Sequence, residues 1–351
     1  MARISIYGAG AIGCYLGGRL AAGGANVAFI GRRGVGEQLR QHGLTLTHYD
    51  GRKWHVPPET VAFSTEPDAA AAAELILVTV KSGSTAQAAA ELAAMAAPNA
   101  VVISFQNGIS NADVLRSALP GRSVLAGMVP FNVIRRDPGG FHQASEGEPE
   151  VEDAAALAPF LADFTSAGFA LRRHRDMLPV QWAKLLLNLN NAVNALSALP
   201  LHQELAQRAY RRCLALAQAE ALALLKQAGI QPARLTPLPA AWIPALLRLP
   251  DALFARLARK MLAIDPSARS SMADDLAAGR RTEVDWINGE VVRLAQRLDG
   301  SAAVNERLTA LVHQAEHSPR RWSGDALFAE LGDANSSLRG IRRRDDRAGP
   351  H

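Results

Sequence analysis

Hydrophobic and polar positions follow two different patterns along the chain. In the first part, short runs rich in Val, Ile, Leu and Phe alternate with stretches of helical period. The predicted strands are RISIYG, ANVAFIG, the turn-containing LTLTHYDGRKWHV, ELILVTV, AVVISF and SVLAGMV, and the predicted helices cover about residues 11–24, 36–42, 84–96 and 111–118. Apolar strands separated by helices are typical of a parallel sheet covered on both faces. The pattern therefore predicts an α/β fold with a Rossmann-type doubly wound parallel sheet.

From about residue 178 the strand-like runs disappear, and Ala- and Leu-rich segments of helical period continue to about residue 330. We therefore predict a Rossmann-type domain over residues 1–176 and an all-helical domain over 177–335. At 351 residues the chain is too long for one ordinary core, which also favours two domains. The remaining residues, 336–351, are predicted to form a basic, disordered tail.

The formal net charge of +5 raises the question of a nucleic-acid partner. The tail alone carries five arginines against two aspartates, so most of the excess is terminal. A terminal basic run is more typical of a solvated tail than of a binding surface. We therefore expect no nucleic-acid partner.

Two cysteines, Cys14 and Cys213, are too few for a disulfide framework or a zinc site, which favours a reducing, cytoplasmic compartment. The first residues pass directly into a strand pattern, so we expect no signal peptide. The most apolar later segment, residues 235–264, is broken by four prolines and several arginines. We expect no membrane span there.

The first chemical motif is Gly8-Ala9-Gly10-Ala11-Ile12-Gly13, directly after the strand RISIY and at the start of a helix. Glycines at this spacing allow a tight turn, the approach of a pyrophosphate and close helix–strand packing. They can also be purely structural, but the strand–turn–helix context favours dinucleotide binding.

The end of the second strand predicts which nicotinamide cofactor binds. NAD enzymes usually place an acid there for the ribose 2′-hydroxyl, whereas this chain has Arg32 and Arg33. Guanidinium groups bind a 2′-phosphate through charge-assisted hydrogen bonds, so the sequence predicts NADP(H). The alternative is a pair of solvated loop arginines. Lys81, after ELILVTV, lies at the edge of the sheet where ligands bind and is a second candidate phosphate contact.

The segment WAKLLLNLNNAVNAL, residues 182–196, is an apolar helix that carries a lysine and four asparagines. At 3.6 residues per turn, Lys184, Asn188 and Asn191 form one narrow stripe, whereas Asn190 and Asn194 point elsewhere. The stripe is either a hydrogen-bonded seam between helices or a substrate site in which the lysine supplies a proton.

A second polar segment, Ser270 to Gly289, predicts another helix that can face this stripe. A glutamate close to a desolvated lysine can orient it and keep it protonated as a general acid. The same charges can instead form only a solvated helix face.

Taken together, these residues resemble the ketopantoate reductase (2-dehydropantoate 2-reductase) family. The matching elements are Gly8-x-Gly10-x-x-Gly13, Arg32, Val80-Lys81, Phe105-Gln106-Asn107-Gly108, Trp182-x-Lys184-Leu185-x-x-Asn188, Ser270-Ser271-Met272, Arg281-Thr282-Glu283 and Ile287-Asn288-Gly289. They occur in the family's order over nearly the whole chain, which is far more specific than the glycine motif alone.

The resemblance implies NADPH-dependent reduction of ketopantoate, a small-molecule 2-oxo acid, to pantoate for pantothenate and coenzyme A. It implies that Lys184 is the general acid and that Glu283 holds it. Ser271 would bind the substrate carboxylate and Asn188 the hydroxyl end, while Asn107 lies where nicotinamide and substrate meet. Asn107 and Glu283 are thus also expected at the cofactor, and Asp275 is a supporting residue.

Two departures from the family pattern affect the substrate. The family commonly has a second amide eight residues after the lysine, where this chain has Ala192. Either Asn191 replaces it, or Asn194 does so after a local distortion of the helix, and both are counted as candidate substrate-binding residues. The Pro- and Leu-rich segment 233–268 is longer than expected, and it forms either a cover over the cleft or a homodimer surface.

Two alternatives to ketopantoate reduction remain. Ala192 and the long segment also fit a reductase of another bulky 2-oxo acid. A non-catalytic NADP(H)-binding redox sensor is the other alternative, although a charged pair such as Lys184 and Glu283 favours an enzyme.

Overall fold

The computed structural model of the protein describes residues 3–136, 138–259 and 268–345. The chain divides into two compact units, Met1–Met177 and Leu178–His351. Residues 260–267 of the Pro- and Leu-rich segment 233–268, called the insert below, and residues 346–351 of the predicted tail lie outside the described residues.

The first unit is built around β-strands. The described strands are β1 (Ile4–Tyr7), β2 (Val27–Ile30), β3 (Leu44–His48), β4 (Lys53–Val56), β5 (Ala62–Ser64), β6 (Leu75–Val78), β7 (Val101–Ser104), β8 (Ser123–Met128), β9 (Val133–Arg136), β10 (Gly140–Gln143), β11 (Glu150–Glu152) and β12 (Arg172–His174). The main sheet has the order β12-β11-β8-β7-β6-β1-β2-β5, and its strands from β8 to β5 are parallel. The predicted doubly wound parallel sheet is confirmed.

Helices cover both faces of this sheet. The described helices of the unit are α1 (Ala11–Ala22), α2 (Arg33–His42), α3 (Thr85–Met95), α4 (Asn111–Ala118) and α5 (Leu161–Ser166). Neighbouring residues of β1 belong to different cores: Ile6 packs in the cluster of Leu16 from α1, and Tyr7 packs in the cluster of Leu92 from α3. This alternation places the apolar β1 between two helical layers.

A second, smaller sheet has the order β4-β3-β10-β9. The turn-containing segment predicted from sequence forms its antiparallel β3–β4 hairpin. Strands β9 and β10 were not predicted, because β9 has no apolar run: Ile134, Arg135 and Arg136 are all exposed.

In the second unit, every described element is a helix, which confirms the all-helical prediction. These helices are α6 (Leu178–Asn188), α7 (Asn190–Ser197), α8 (Leu201–Ala206), α9 (Arg208–Gln227), α10 (Ile243–Leu247), α11 (Asp251–Leu257), α12 (Ser271–Ala277), α13 (Val284–Arg297), α14 (Ala303–His317) and α15 (Gly324–Asp345). Helix α15 extends into the predicted tail as far as Asp345. Among the described residues, no helix is both long and apolar enough to cross a bilayer.

Two predicted helices are each divided in the structure. The segment 182–196 is interrupted at Leu189, between α6 and α7, where the Leu186 carbonyl accepts a hydrogen bond from Gln218 Nε2 of α9 at 2.9 Å. The polar segment after Ser270 forms α12 and α13 instead of one helix. It is interrupted by Gly279, whose φ of +62° lies in the left-handed region that favours glycine.

Candidate active site

The glycine motif forms the turn between β1 and α1, and its glycines have different surroundings. Gly8 has a φ of +116°, and a Cβ there would lie 2.5 Å from the backbone nitrogen of Val80. A Cβ on Gly13 would lie 2.3 Å from the Gly8 carbonyl oxygen. Both glycines are therefore required by the fold.

Gly10 differs, because a Cβ there would meet no protein atom within 4 Å. Packing within the protein does not explain this glycine, whereas the approach of a pyrophosphate does. The first turn of α1, Ala11-Ile12-Gly13, has no acidic side chain, so the helix N-terminus can face an anion. Ala9 is buried against Gly31 at the end of β2, which fixes the loop on the sheet. This turn fits a dinucleotide.

Arg32 and Arg33 lie directly after β2 and are both exposed. Arg32 has extended backbone geometry as the residue preceding α2, and its carbonyl accepts the Val35 amide at 3.0 Å. The two guanidinium groups thus lie at the start of α2, since Arg32 precedes the helix and Arg33 is its first residue. They fit a 2′-phosphate at the end of β2.

Lys81 and Asn107 follow β6 and β7, two neighbouring parallel strands, so they lie at the same edge of the sheet. Lys81 is exposed, and Asn107 is half-buried. The backbone carbonyl of Asn107 accepts hydrogen bonds from Ser82 Oγ at 3.0 Å and from Asn111 Nδ2 at 2.6 Å. The two loops are therefore tied to each other.

A buried polar network supports these loops, and it was not predicted from sequence. Gln106 Nε2 donates to Thr85 Oγ1 at 2.7 Å and to the Val80 carbonyl at 3.0 Å, and Thr85 Oγ1 lies 2.7 Å from Asn111 Oδ1. The only sign of this network in the sequence was that Gln106 lies inside the Phe105–Gly108 motif that resembles the family. Asn111 carried no signal, since asparagine is common at the start of a helix.

Lys184 and Asn188 lie one turn apart on α6, and both are half-buried. Burial lowers the pKa of the Lys184 ammonium from 10.5 to about 8. A lysine with a pKa in this range is still largely protonated near neutral pH, yet it gives up its proton more easily than an exposed lysine. This is the property that a general acid needs.

The asparagines of α7 fall into two environments. Asn191 is half-buried, whereas Asn190 and Asn194 are buried and donate to the same Glu204 oxygen of α8, at 3.1 and 3.0 Å. Asn194 is 0% exposed and also bonds the backbone of Leu199 and Ser270. A substrate-binding role does not fit Asn194, because its polar atoms already have partners inside the helical unit. The side chain of Ala192 is also fully buried.

Ser271 is the first residue of α12, and its side chain is exposed. The preceding Ser270 is buried and caps the helix, since its Oγ accepts the Ala273 amide at 3.1 Å. Asp275 is buried, and its carboxylate accepts Arg280 Nε at 3.0 Å. This bond braces the turn after α12, and a supporting role of Asp275 in the reaction stays a prediction.

Glu283 is the half-buried residue immediately before α13. Thr282 donates its amide and its hydroxyl to Glu316 Oε1 of α14, both at 2.7 Å. His313, also of α14, bonds Glu316 Oε2 at 3.2 Å and Asp285 Oδ1 at 2.9 Å. The residues on both sides of Glu283 are therefore held by α14.

The hydrogen bonds among His313, Asp285 and Glu316 shift the pKa values of His313 and Glu316. Burial lowers the pKa of His313, but hydrogen bonds to the Asp285 and Glu316 carboxylates outweigh it and raise that pKa overall. Burial likewise raises the pKa of Glu316, but bonds from Thr282 and His313 lower it overall. Within residues 3–136, 138–259 and 268–345, no three His, Cys, Asp or Glu side chains converge as metal ligands would.

Comparisons with known proteins point to one family. The family model Ketopantoate reductase PanE/ApbA matches residues 4–155, and the model Ketopantoate reductase PanE/ApbA C terminal matches residues 176–316. A 2-dehydropantoate 2-reductase from Halobacterium salinarum is 29% identical over 329 residues, covering 90% of this chain and 99% of the relative.

Solved structures agree with this match. The crystal structure of a PanE/ApbA family ketopantoate reductase from Ralstonia eutropha JMP134 is 31% identical with a TM-score of 0.76, over 90% of this chain and 99% of that one. A ternary structure of D-mandelate dehydrogenase with NADH and anilino(oxo)acetate has a TM-score of 0.69 over the same shares, but at 19% identity it shows the fold alone. The family models together match most of both units, so the chain belongs to the ketopantoate reductase family.

Proposed function

We propose that this chain reduces 2-dehydropantoate to pantoate with NADPH and that Lys184 is the general acid. The observation that carries the proposal is the environment of Lys184, whose pKa burial lowers to about 8 on a helix that also presents Asn188. The class of reaction follows from the family to which the chain belongs, whose members are NADPH-dependent reductases. The role of each residue follows from the chemistry of its side chain.

The cofactor residues act by binding and orientation. The turn around Gly10 and the N-terminus of α1 bind the pyrophosphate, and Arg32 pairs with the 2′-phosphate. Lys81 adds a positive charge at the carboxyl edge of the sheet, and Asn107 orients the nicotinamide end. When bound, NADPH supplies the hydride for C2 of the substrate.

Lys184 completes the reduction. As C2 accepts the hydride, its carbonyl oxygen gains negative charge, which the ammonium stabilises. The Nζ–H bond then breaks and an O–H bond forms, which leaves a hydroxyl on C2 and a neutral lysine that recovers its proton from water. Glu283 orients the ammonium and favours its charged form.

The remaining polar residues bind the substrate. The exposed hydroxyl of Ser271 donates to the substrate carboxylate. Asn188 binds the 4-hydroxyl, and Asn191 supplies the second amide that position 192 lacks.

Product analysis with a lysine control tests this proposal. The wild-type protein should consume one NADPH per 2-dehydropantoate and release pantoate, detected by chromatography. Lys184→Ala should lower kcat by about 10³-fold while NADPH still binds, because general acids contribute rate and not cofactor affinity. Lys226→Ala, an exposed lysine of α9, is the matched control and should retain activity. Unchanged turnover in Lys184→Ala would remove the general-acid role.

Reduction of another bulky 2-oxo acid is the second candidate. It is favoured by the fully buried Ala192, which contributes a methyl group where the family commonly has an amide. A substrate without a hydroxyl at the corresponding end would then be preferred. Higher kcat/KM for such an acid would select this function.

We further infer a homodimer and a cytoplasmic location. Several large apolar side chains of the insert are exposed, including Trp242 at 65% and Leu257 at 62%, and they favour the dimer-surface interpretation of that segment. Light scattering should give twice the chain mass for the wild type and a shift toward the monomer for Trp242→Glu. Cys14 and Cys213 are buried, and burial raises both thiol pKa values to about 12, as expected for unreactive thiols in a reducing compartment.

A further inference from the structure

Asn194 connects three separate pieces of the helical unit. Its Nδ2 group donates to the Leu199 carbonyl at 2.9 Å and to Glu204 Oε2 at 3.0 Å. Its Oδ1 atom accepts the backbone N–H of Ser270 at 2.9 Å. A primary amide is the side chain that offers two donor hydrogens and an acceptor on one rigid group. The residue thus uses every kind of bond that an asparagine has.

The segment before α12 is held at further points by the same region. The Ala268 carbonyl accepts the N–H of Leu201, the first residue of α8, at 2.8 Å. The hydroxyl of Ser270 lies 3.4 Å from the Asn191 carbonyl of α7. Helices α7 and α8 therefore bind the chain at Ala268 and Ser270, just before Ser271.

Glu204 anchors the other end of this arrangement. It is 0% exposed, and its Oε2 atom accepts from both Asn190 and Asn194. Burial raises the pKa of Glu204 to about 8, against the effect of the two asparagine bonds. A buried carboxyl group in a helical core is costly unless it holds a defined set of partners. Here its bonded partners are amides of α7.

We propose that Asn194 and Glu204 are positioning residues that set the Ser270–Ser271 turn, and through it the hydroxyl of Ser271 that binds the substrate carboxylate. The inference rests on the proposed function for the role of Ser271. It assigns to Asn194 a task that differs from direct substrate contact. Ser271 is exposed and lies at a helix start, so its position depends on the backbone of Ser270, which Asn194 holds.

The effect should appear in KM and not in cofactor binding. Asn194→Leu removes the acceptor for the Ser270 amide while keeping a side chain of similar size. We expect KM for 2-dehydropantoate to rise at least about tenfold, since a misplaced carboxylate contact weakens substrate binding. The dissociation constant of NADPH should stay within about twofold, because the cofactor residues of the first unit are unchanged.

Asn305→Leu is the matched control. Asn305 is also 0% exposed and bonds Glu220, Asn288 and the Ala217 carbonyl, so its loss removes a comparable buried network. It makes none of the bonds to Ser270. Equal rises of KM in the two variants would overturn the proposal, because they would indicate a general loss of stability.

Variants of Glu204 keep the test decisive if Asn194→Leu does not fold. Glu204→Gln retains an oxygen acceptor for the asparagine amides and should keep KM within about twofold of the wild type. Glu204→Leu removes that acceptor and should raise KM as Asn194→Leu does. An unchanged KM in folded Glu204→Leu would contradict the proposal.

Hydrogen exchange separates this proposal from the proposed function. The backbone N–H groups of Ser270 and Ala273 are bonded to Asn194 Oδ1 and Ser270 Oγ, so a peptide covering 268–276 should exchange slowly in the wild type. Asn194→Leu should accelerate exchange there and not in α13. This readout needs no substrate. If the wild type did not reduce 2-dehydropantoate, faster exchange would still support the positioning role, and unchanged exchange would reject it.

Discussion

Thr282 donates two hydrogen bonds to the same oxygen of Glu316, through its backbone N–H and its hydroxyl, both at 2.7 Å. Glu283 follows directly and is therefore fixed from its N-terminal side by α14. His313 bonds Asp285 and completes the support from the C-terminal side. The position of Glu283 thus depends on Glu316 and His313 of α14, which lie outside the matching motifs.

Removing this support should reduce turnover. We expect Glu316→Leu to lower kcat about tenfold, because Glu283 loses the fixed backbone from which it orients Lys184. Steady-state kinetics with saturating NADPH measure this effect. Glu306→Leu changes an exposed glutamate of the same helix and should leave kcat unchanged. If both variants behave like the wild type, α14 has no part in positioning Glu283.

The pKa of Lys184 predicts the alkaline limit of activity. A general acid must carry its proton, and burial lowers the pKa of this ammonium to about 8. The rate of 2-dehydropantoate reduction should therefore fall as pH rises through about 8. Near neutral pH this group should leave the rate almost independent of pH, because Lys184 is then mostly protonated. A profile of kcat/KM from pH 6 to 10, which reports the pKa values of the free enzyme, checks the sign. Full activity at pH 10 would mean that another group supplies the proton.

Substitutions of Gly10 and Gly8 in the glycine motif should affect different properties, cofactor affinity in one case and stability in the other. Gly10→Ala adds a methyl group into space free of protein atoms, so the melting temperature should stay within about 2 °C, whereas NADPH affinity should fall at least about tenfold. Gly8→Ala combines a φ of +116° with a Cβ 2.5 Å from Val80 N, so it should lower the melting temperature by several degrees. Calorimetry and cofactor titration separate the two. Tight NADPH binding by Gly10→Ala would show that the pyrophosphate does not approach this turn.

We expect Arg32 to determine the preference for NADPH over NADH. Arg32→Ala should raise KM for NADPH by about 10- to 100-fold, since it removes a charge-assisted pair with the 2′-phosphate, and it should change KM for NADH little. Arg40→Ala, on the helix α2 that follows Arg32, is the control, because Arg40 instead donates to the Phe63 carbonyl at 3.4 Å. Equal losses with NADPH and NADH would assign Arg32 a structural role.

The fold was predictable where local pattern and burial agree. Strands such as Leu75–Val78 are apolar at every position because both faces of the sheet are covered, and the pattern shows this directly. The Gly8–Gly13 turn was predictable because its geometry is set within a few residues of the chain. The same reasoning predicted that Lys184 and Asn188 lie one turn apart on a helix, as they do on α6.

The rest depends on contacts between distant residues. The break at Leu189 coincides with a bond from Gln218, about thirty residues later in the chain, and no periodicity in 182–196 reveals it. The environment of Asn194 is set by Glu204 and Ser270, which lie on other elements. A helical wheel gives the direction of an asparagine side chain, but only tertiary packing decides whether it meets a ligand or another amide.

Substrate selectivity tests the central claim most directly. The measurement is kcat/KM for 2-dehydropantoate, pyruvate, 3-methyl-2-oxobutanoate and phenylglyoxylate, each with NADPH and with NADH. We expect 2-dehydropantoate with NADPH to exceed every other combination by at least about tenfold, because its carboxylate and hydroxyl both find polar partners. Preference for an acid without the 4-hydroxyl, or equal rates with NADH, would contradict the account.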